Sequence, residues 1–244
     1  MALKIVGVIP ARLNSTRLPR KVLLQILGKP MLHHVVDRVR DAGVLDEFVV
    51  ATDAEEVLGY CRQKKIPVMM TSPSHPSGTD RVWEVSTKIK ADVYVGIQAD
   101  EPLVTAHHIE LLTAPFKTPS VQVTTLKTAM SREEAQNPNK VKVVTDDSGR
   151  ALYFSRAPIP FDRDATGSVR YFLHLGLYAY RREALEEFHR HSSSPLEMVE
   201  KLEQLRFLEH GIPIHVEETS TQTIGVDTEE DLRAVEQVLR DCRF

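Results

Sequence analysis

The chain has 244 residues, of which 42% are hydrophobic and 27% charged, with a formal net charge of −3. A chain of this size and composition buries a full core and needs neither disulfides nor a metal to fold. It contains no apolar run of about 18 residues, the length of a membrane span. Its two cysteines, Cys61 and Cys242, lack metal-ligand or redox spacing, so we expect a reducing, cytoplasmic location.

Strands and helices alternate over the first hundred residues. The β-branched apolar run at 5–10 predicts a buried strand that ends at Pro10. Similar runs predict three further strands, at 48–53, 66–71 and 93–98. Apolar residues at helical spacing predict helices at 31–39, 54–64 and 81–89. This alternation is typical of an α/β protein with a parallel sheet and right-handed crossovers.

The pattern changes after about residue 120. Four strands are predicted with little helix between them, at 121–128, 140–146, 151–156 and 173–180. We interpret the region of about 121–190 as antiparallel strands that form a lid or a dimerisation platform. Two capped helices then close the chain, one over 194–211 and one that begins near Thr228. We expect a single domain over 1–244.

The first 36 residues carry six cations and no acid, because the first acidic residue is Asp37. Four of these cations, Arg12, Arg17, Arg20 and Lys21, fall in a small-residue loop directly after the first strand. Ligands of open α/β sheets bind at the carboxyl ends of strands, so this loop is a candidate site for a compact polyanion such as a nucleoside triphosphate. A solvated basic loop is the alternative. The focused charge and the acidic remainder argue against nucleic-acid binding.

Two aspartates follow apolar runs and are candidate Mg²⁺ ligands. Asp100 lies in "QADEP", where we expect the turn at Pro102 to expose both Asp100 and Glu101. Asp227 lies in "GVDTEED", far along the chain. Each has a structural alternative: Asp100 as a helix N-cap, and Asp227 as the residue ahead of the Thr228 cap.

Other polar stretches allow more than one interpretation. In "PSGTDR" the hydroxyls of Ser77 and Thr79 could bind a base edge or cap a helix. The "DRD" at 162–164 resembles an Asp-x-Asp metal signature, but it follows no buried strand and we interpret it as a loop. His174 lies inside an apolar strand, and Tyr178 four positions on shares its face. The remaining histidines considered are predicted at the surface or at helix ends: His107, His108, His189, His191 and His210.

A set of motifs then points to a family. In order along the chain they are "PARLNSTRLPRK", "ATD", "SGTDR", "QADEP", "NPNKVKVV", "ALYFSRAPIP", "HLGLYAY", "LEQLRFLEHG" and "GVDTEEDL". Together they resemble the 3-deoxy-manno-octulosonate (Kdo) cytidylyltransferases, or CMP-Kdo synthetases. The opening loop is shared by many sugar nucleotidyltransferases, whereas "ALYFSR", "HLGLYAY" and "LEQLR" are specific to the Kdo branch.

The resemblance implies a Rossmann-like nucleotidyltransferase (nucleotide-diphospho-sugar transferase) fold and the reaction of CTP with Kdo to give CMP-Kdo and pyrophosphate, for lipopolysaccharide synthesis. It implies that Asp100 and Asp227 hold Mg²⁺ and that the enzyme is a homodimer. It further implies a nucleotide site of Arg12, Arg17, Lys21, Ser77, Gly78, Thr79 and Arg81. The implied sugar pocket comprises Gln98, Arg156, His174, Tyr178, Glu203 and Gln204. Arg12, Lys21, Asp100 and Asp227 would be the catalytic residues.

Four positions depart from the family pattern: Arg20 replaces glycine, Val22 replaces proline, Ala99 replaces glycine and Asp80 replaces glutamate. Ala99 would be strained if its position needs a positive φ, and it could change which sugar fits. The alternatives are therefore a cytidylyltransferase for another acidic sugar (8-amino-Kdo, sialic or legionaminic type) and a non-catalytic nucleotide-binding regulator.

Overall fold

The structure, a computed structural model, describes residues 3–13 and 18–241. The chain divides into two compact units. Unit 1 comprises Met1–Glu110 and Thr223–Phe244, and unit 2 comprises Leu111–Gln222. No helix in the described part of the chain combines the length and the apolar character needed to cross a membrane.

In chain order, the strands are β1 Ile5–Ala11, β2 Gln25–Ile26, β3 Lys29–Pro30, β4 Glu47–Thr52, β5 Val68–Met70, β6 Val93–Gly96, β7 Val123–Met130, β8 Lys142–Thr145, β9 Ala151–Ser155, β10 Tyr171–Arg181 and β11 Ile214–Glu218. The α-helices are α1 Met31–Arg40, α2 Glu55–Gln63, α3 Gly78–Lys88, α4 Ala106–Thr113, α5 Arg132–Ala135, α6 Arg182–Arg190, α7 Pro195–Glu200, α8 Leu205–Glu209 and α9 Glu229–Asp241. Two 3₁₀ turns cover Lys21–Leu23 and Ala114–Lys117.

Unit 1 contains the parallel sheet predicted for the first hundred residues. β1 pairs in parallel with β4 and with β6, and β4 pairs in parallel with β5. The apolar runs of β1 and β6 are buried because helices cover such sheets on both faces. Since parallel strands end at the same edge, Arg12, Asp53, Thr71 and Gln98 all follow strands at the carboxyl edge.

An apolar cluster fixes the carboxyl edge of this sheet to the last helix. It contains the buried side chains of Leu18, Ile26, Met31, Val226, Val235 and Leu239. Val226 also donates its backbone N–H to the carbonyl of Asp100 at 2.9 Å. The cluster and this bond bring the basic loop, the end of β6 and the segment before α9 together.

Unit 2 contains the antiparallel strands that the sequence indicates. β10 pairs antiparallel with β7 and with β8, and β8 pairs antiparallel with β9. The register of β10 against β7 shifts between Leu175 and Tyr178, where a bulge interrupts the ladder. β11 is an addition that the sequence analysis missed, and it pairs in parallel with β7.

The predicted single helix over 194–211 is wrong. The chain forms α7 and α8, separated by Lys201 in the left-handed region with φ 55°. The carbonyls of Glu200 and Lys201 accept hydrogen bonds from the Arg156 guanidinium, so tertiary contacts end α7 early. α6 precedes α7 and was not predicted. The capping predictions hold in part: Glu197 accepts from the Ser194 N–H, and Gly211 takes φ 74°.

Candidate active site

The two predicted metal ligands of unit 1 meet at Lys21. The Lys21 ammonium lies 2.6 Å from Asp100 Oδ2 and 3.0 Å from Asp227 Oδ1. Burial acts to lower the pKa of Lys21, but the charges and hydrogen bonds of the two aspartates outweigh it and raise that pKa. Lys21 therefore stays protonated at neutral pH and lies between two carboxylates.

The structural alternative fails for Asp100 and holds for Asp227. Asp100 caps no helix, because α4 begins six residues later at Ala106. Asp227 does precede a capped helix, in which Asp231 accepts from the Thr228 N–H and Thr228 Oγ1 accepts from the Asp231 N–H. Asp227 joins this cap through its backbone N–H, which donates to Asp231 Oδ2 at 3.0 Å, and its carboxylate also pairs with Lys21.

Glu101 is not exposed as the sequence suggested. Its Oε2 is inaccessible to solvent and has no hydrogen-bond partner within the described residues. Burial, assisted by the negative charge of Asp100, raises the pKa of Glu101 to about 8. The carboxyl lies against Gly225, where an added Cβ would lie 3.0 Å from Glu101 Oε1. A side chain at Gly225 would therefore press against the Glu101 carboxyl.

The donor set at Lys21 fits a divalent cation that also contacts substrate. No group of three or more His, Cys, Asp or Glu side chains suited to a metal occurs among residues 3–13 and 18–241. Mg²⁺ is commonly held by one or two carboxylates and completed by substrate phosphates and water. The pair Asp100 and Asp227 already binds one cation, so its charge and geometry suit that arrangement.

The basic loop is held by the segment before α3. The Arg12 guanidinium donates to the carbonyl of His75 at 2.7 Å and to that of Pro76 at 3.2 Å. Arg17 lies outside the described residues. Arg20 takes φ 60° and ψ 26°, which explains why this position is glycine in the family pattern, and its side chain pairs with Glu56.

Glu84 anchors the segment that holds Arg12. Its Oε2 accepts from the Ser72 backbone N–H at 2.8 Å and lies 2.6 Å from His75 Nε2. Burial acts to raise the pKa of Glu84, but hydrogen bonds from Lys88, Ser72 and His75 outweigh it and lower that pKa to about 2. The sequence analysis missed Glu84, because an acidic residue within a helix gives no sign in the sequence that it will anchor a neighbouring loop.

The start of α3 resolves the two interpretations of "SGTDR". Ser77 is the N-cap: its Oγ accepts from the Asp80 N–H at 3.1 Å and donates to the Asp80 carboxylate at 2.7 Å. Gly78 permits close approach, because a Cβ there would lie 2.9 Å from Gln98 Nε2. The start of α3 therefore brings Gly78 of the predicted nucleotide site against Gln98.

Thr79 and Arg81 of the same motif lie inside unit 1. Thr79 is 2% exposed and Arg81 is fully buried. Arg81 donates to Asp53 of "ATD" at 2.8 Å and to the Thr71 hydroxyl. This placement favours a structural role for Arg81, tying α3 to the ends of β4 and β5, over the predicted direct contact with ribose or cytosine.

In unit 2 the predicted carboxylate-binding Arg156 is held by main-chain oxygens. Its guanidinium donates to the carbonyls of Glu200 at 2.7 Å, Pro138 at 3.0 Å and Lys201 at 3.4 Å. The Glu200 carboxylate accepts from the Arg156 N–H and from the Ser155 hydroxyl. Arg156 is therefore fixed in place, and two of its five N–H donors are not used in these bonds.

Lys142 is a buried cation that the sequence analysis did not single out. Its ammonium donates to the carbonyls of Asn137, Lys140 and Arg156 at 2.6 to 3.0 Å. Burial lowers the pKa of Lys142, and the charge of Arg156 lowers it further. A lysine between apolar strand residues in "KVKVV" is the signal that could have identified it.

His174 and Tyr178 come together, with ring centroids 5.4 Å apart. Burial lowers the pKa of His174 to about 3 and raises that of Tyr178 well above its ordinary value, so both side chains are neutral at pH 7. His174 Nε2 lies 3.0 Å from Thr125 Oγ1. The predicted polar pair of β10 is confirmed.

Glu203 and Gln204 lie in the connection between α7 and α8. The negative charge of Glu203 contributes to the raised Tyr178 pKa, so these two side chains are neighbours. Gln204 is 4% exposed, and its Nε2 has no hydrogen-bond partner within the described residues. A buried, unpaired amide donor is a candidate ligand contact.

The structure also shows where the residues of three other predictions lie. His108 was predicted at the surface or at a helix end; it lies in the first turn of α4, where it is fully buried beside Thr105. The 162–164 stretch is a loop, as predicted, in which Asp162 accepts from the Thr166 and Gly167 N–H groups. Ala99 is buried and does not take a positive φ, so it carries no backbone strain.

Comparison with known proteins adds independent evidence. A cytidylyltransferase family model matches residues 6–219. The 3-deoxy-manno-octulosonate cytidylyltransferase of Acidobacterium capsulatum is 58% identical over 98% of this chain and 97% of its own. That of Koribacter versatilis is 51% identical over 97% of this chain and 90% of its own. The chain belongs to the 3-deoxy-manno-octulosonate cytidylyltransferase family.

Solved structures agree with this family. A CMP:2-keto-3-deoxy-manno-octonic acid synthetase in complex with CTP matches with a TM-score of 0.93 and 42% identity, over 98% of this chain and 99% of that chain. A cytidylyltransferase from Leptospira borgpetersenii shares only the fold, with a TM-score of 0.65 and 15% identity. The α/β nucleotidyltransferase fold with a mostly parallel central sheet is therefore confirmed.

Proposed function

We propose that the protein transfers CMP from CTP to the anomeric 2-hydroxyl of Kdo, releasing pyrophosphate and supplying CMP-Kdo for lipopolysaccharide synthesis. The observation that carries this proposal is the junction of Lys21, Asp100 and Asp227 at the carboxyl edge of the parallel sheet. It supports catalysis over a non-catalytic regulator, because binding a nucleotide without turnover does not require two converging carboxylates. Family membership supports the choice of CTP and Kdo.

The reaction brings two anions together, the sugar carboxylate and the triphosphate, and the residues of unit 1 offset their repulsion. We assign Arg12 and Lys21, with Arg17, to the triphosphate, and Gly78, next to the Ser77 cap, to the nucleoside. Asp100 and Asp227 would hold Mg²⁺, which neutralises charge on the phosphates and the leaving pyrophosphate. Positioning then accounts for most of the rate enhancement.

The residues of unit 2 suit recognition of an acidic, polyhydroxylated sugar. Arg156 retains two N–H donors for the Kdo carboxylate. The neutral pair His174 and Tyr178, together with Glu203 and the unpaired Gln204 amide, offers donors and acceptors for hydroxyls. Gln98, which the family resemblance assigns to the sugar, lies in unit 1. No covalent nucleophile is required, and burial raises the pKa of Cys61 to about 11, which keeps that thiol protonated.

We also propose a cytoplasmic homodimer. In support, unit 2 exposes large apolar side chains, with Phe161 and Val199 each 82% exposed and Met198 52%. α7 contains no buried residue, and its apolar side chains Leu196, Met198 and Val199 are exposed. Sedimentation should give twice the monomer mass, and Val199→Lys should shift the protein toward the monomer. A monomeric wild type would contradict this part of the proposal.

The proposed reaction is tested by pyrophosphate release with CTP, Mg²⁺ and one acceptor at a time: Kdo, 8-amino-Kdo or N-acetylneuraminate. We expect release with Kdo, and loss of activity by more than a hundredfold in Asp100→Asn. Release only with another acidic sugar would keep the reaction and change the substrate. Tight CTP binding without release with any sugar would instead support a regulator.

A further inference from the structure

The ammonium of Lys21 lies where a divalent cation would bind the two aspartates. Its nitrogen is within 3.0 Å of both Asp100 and Asp227, and only 10% of its side chain is exposed. The backbone of Lys21 is also fixed, because it starts the 3₁₀ turn Lys21–Leu23 and donates its N–H to the Leu18 carbonyl. The ammonium is thus directed at the carboxylates by a structured segment.

A metal ion and this ammonium compete for the same negative charge. Mg²⁺ needs carboxylate oxygens at about 2.0–2.1 Å, closer than the ammonium approaches. Two cations on one pair of carboxylates would lie within a few ångströms of each other in a partly buried site, where repulsion is weakly screened. The pair carries two negative charges, of which Lys21 already offsets one.

We propose that Lys21 competes with the divalent cation for Asp100 and Asp227, so that the ion binds tightly only when Lys21 turns to the nucleotide phosphates. This inference rests on the proposed function. A cation that displaces Lys21 releases the ammonium for the triphosphate, so metal and nucleotide each strengthen the binding of the other. That coupling is reciprocal by linkage.

The test measures Mn²⁺ binding to the full chain without nucleotide, by electron paramagnetic resonance of the free ion. Lys21→Met should bind one Mn²⁺ at least about tenfold more tightly than wild type, which corresponds to about 1.4 kcal/mol. Lys29→Met is the matched control, because Lys29 forms a 2.6 Å ion pair with Asp37 elsewhere in unit 1 and its loss changes the net charge equally. This control should stay within about twofold of wild type.

The double variant Lys21→Met/Asp100→Asn should lose the gained site, which assigns it to this carboxylate pair. Equal Mn²⁺ affinity in wild type and Lys21→Met, or weaker binding in the variant, would overturn the competition. Lys21→Gln provides the same comparison if the methionine variant does not fold, as judged by circular dichroism. Wild-type pyrophosphate release decides the proposed function separately, since the Mn²⁺ comparison uses neither CTP nor Kdo.

Discussion

Replacing Arg81 with methionine should destabilise the protein strongly. The Arg81 side chain is fully buried and pairs with Asp53 at 2.8 Å, and its loss leaves the Asp53 carboxylate, 18% exposed, without this cation. Removing one partner of a buried pair costs about 3–5 kcal/mol. Asp53 keeps some contact with water, so we expect a cost at the lower end of this range, about 3 kcal/mol. For a chain of this length, that cost lowers the Tm by roughly 6–12 °C.

The assay is thermal unfolding of wild type and variant, combined with the KM for CTP at a temperature where both are folded. Arg233→Met is the control, because Arg233 forms an exposed ion pair with Glu229 and its loss should cost less than about 1 kcal/mol. Adding Asp53→Asn to Arg81→Met should restore part of the loss, since it removes the unpaired charge. An unchanged Tm in Arg81→Met with a tenfold higher KM for CTP would refute this reasoning and make Arg81 a nucleotide contact.

Three further predictions concern single positions. Arg156→Ala should raise the KM for Kdo at least about tenfold, which corresponds to about 1.4 kcal/mol, while the KM for CTP stays within twofold. Equal effects on both KM values would contradict the proposed role of Arg156. Arg20→Gly should be more stable than Arg20→Ala by about 1 kcal/mol in urea unfolding, because φ is 60° there; the reverse order would show that the turn relaxes. Burial lowers the pKa of His174 to about 3. The stability that the neutral His174 side chain contributes is therefore fully present above pH 6.5 and is lost as the pH falls toward 3. Between pH 7 and 5 wild type should therefore lose about 1–2 kcal/mol more than His174→Phe, and parallel urea-unfolding profiles would argue against this.

Local patterns in the sequence predict the parallel half of the fold well. The runs predicted at 5–10 and 93–98 are correctly placed as strands. Asp100 follows the second of them and Asp227 follows a separate apolar run, and both meet Lys21. Short apolar runs with clear boundaries carry this information because nearly all of β1 and the whole of β6 are buried. The Ser77 cap is likewise local and is predicted.

The misplaced features depend on contacts between distant segments. The Glu101 carboxyl lies against Gly225, and the carbonyls of Glu200 and Lys201 at the end of α7 accept hydrogen bonds from Arg156. The burial of Arg81 depends in the same way on Asp53, in a different βα loop. A carboxylate or a guanidinium looks the same in sequence whether it will contact a ligand or hold two loops together.

The central claim is that CTP is cleaved between its α- and β-phosphates by attack of the Kdo 2-hydroxyl. The most direct measurement is ³¹P NMR of the products after incubation of the wild-type protein with CTP, Kdo and Mg²⁺. We predict equal amounts of pyrophosphate and of one sugar phosphodiester, with CTP consumed in the same proportion. CDP together with a sugar phosphate, or CTP that remains intact at high protein concentration, would contradict the account.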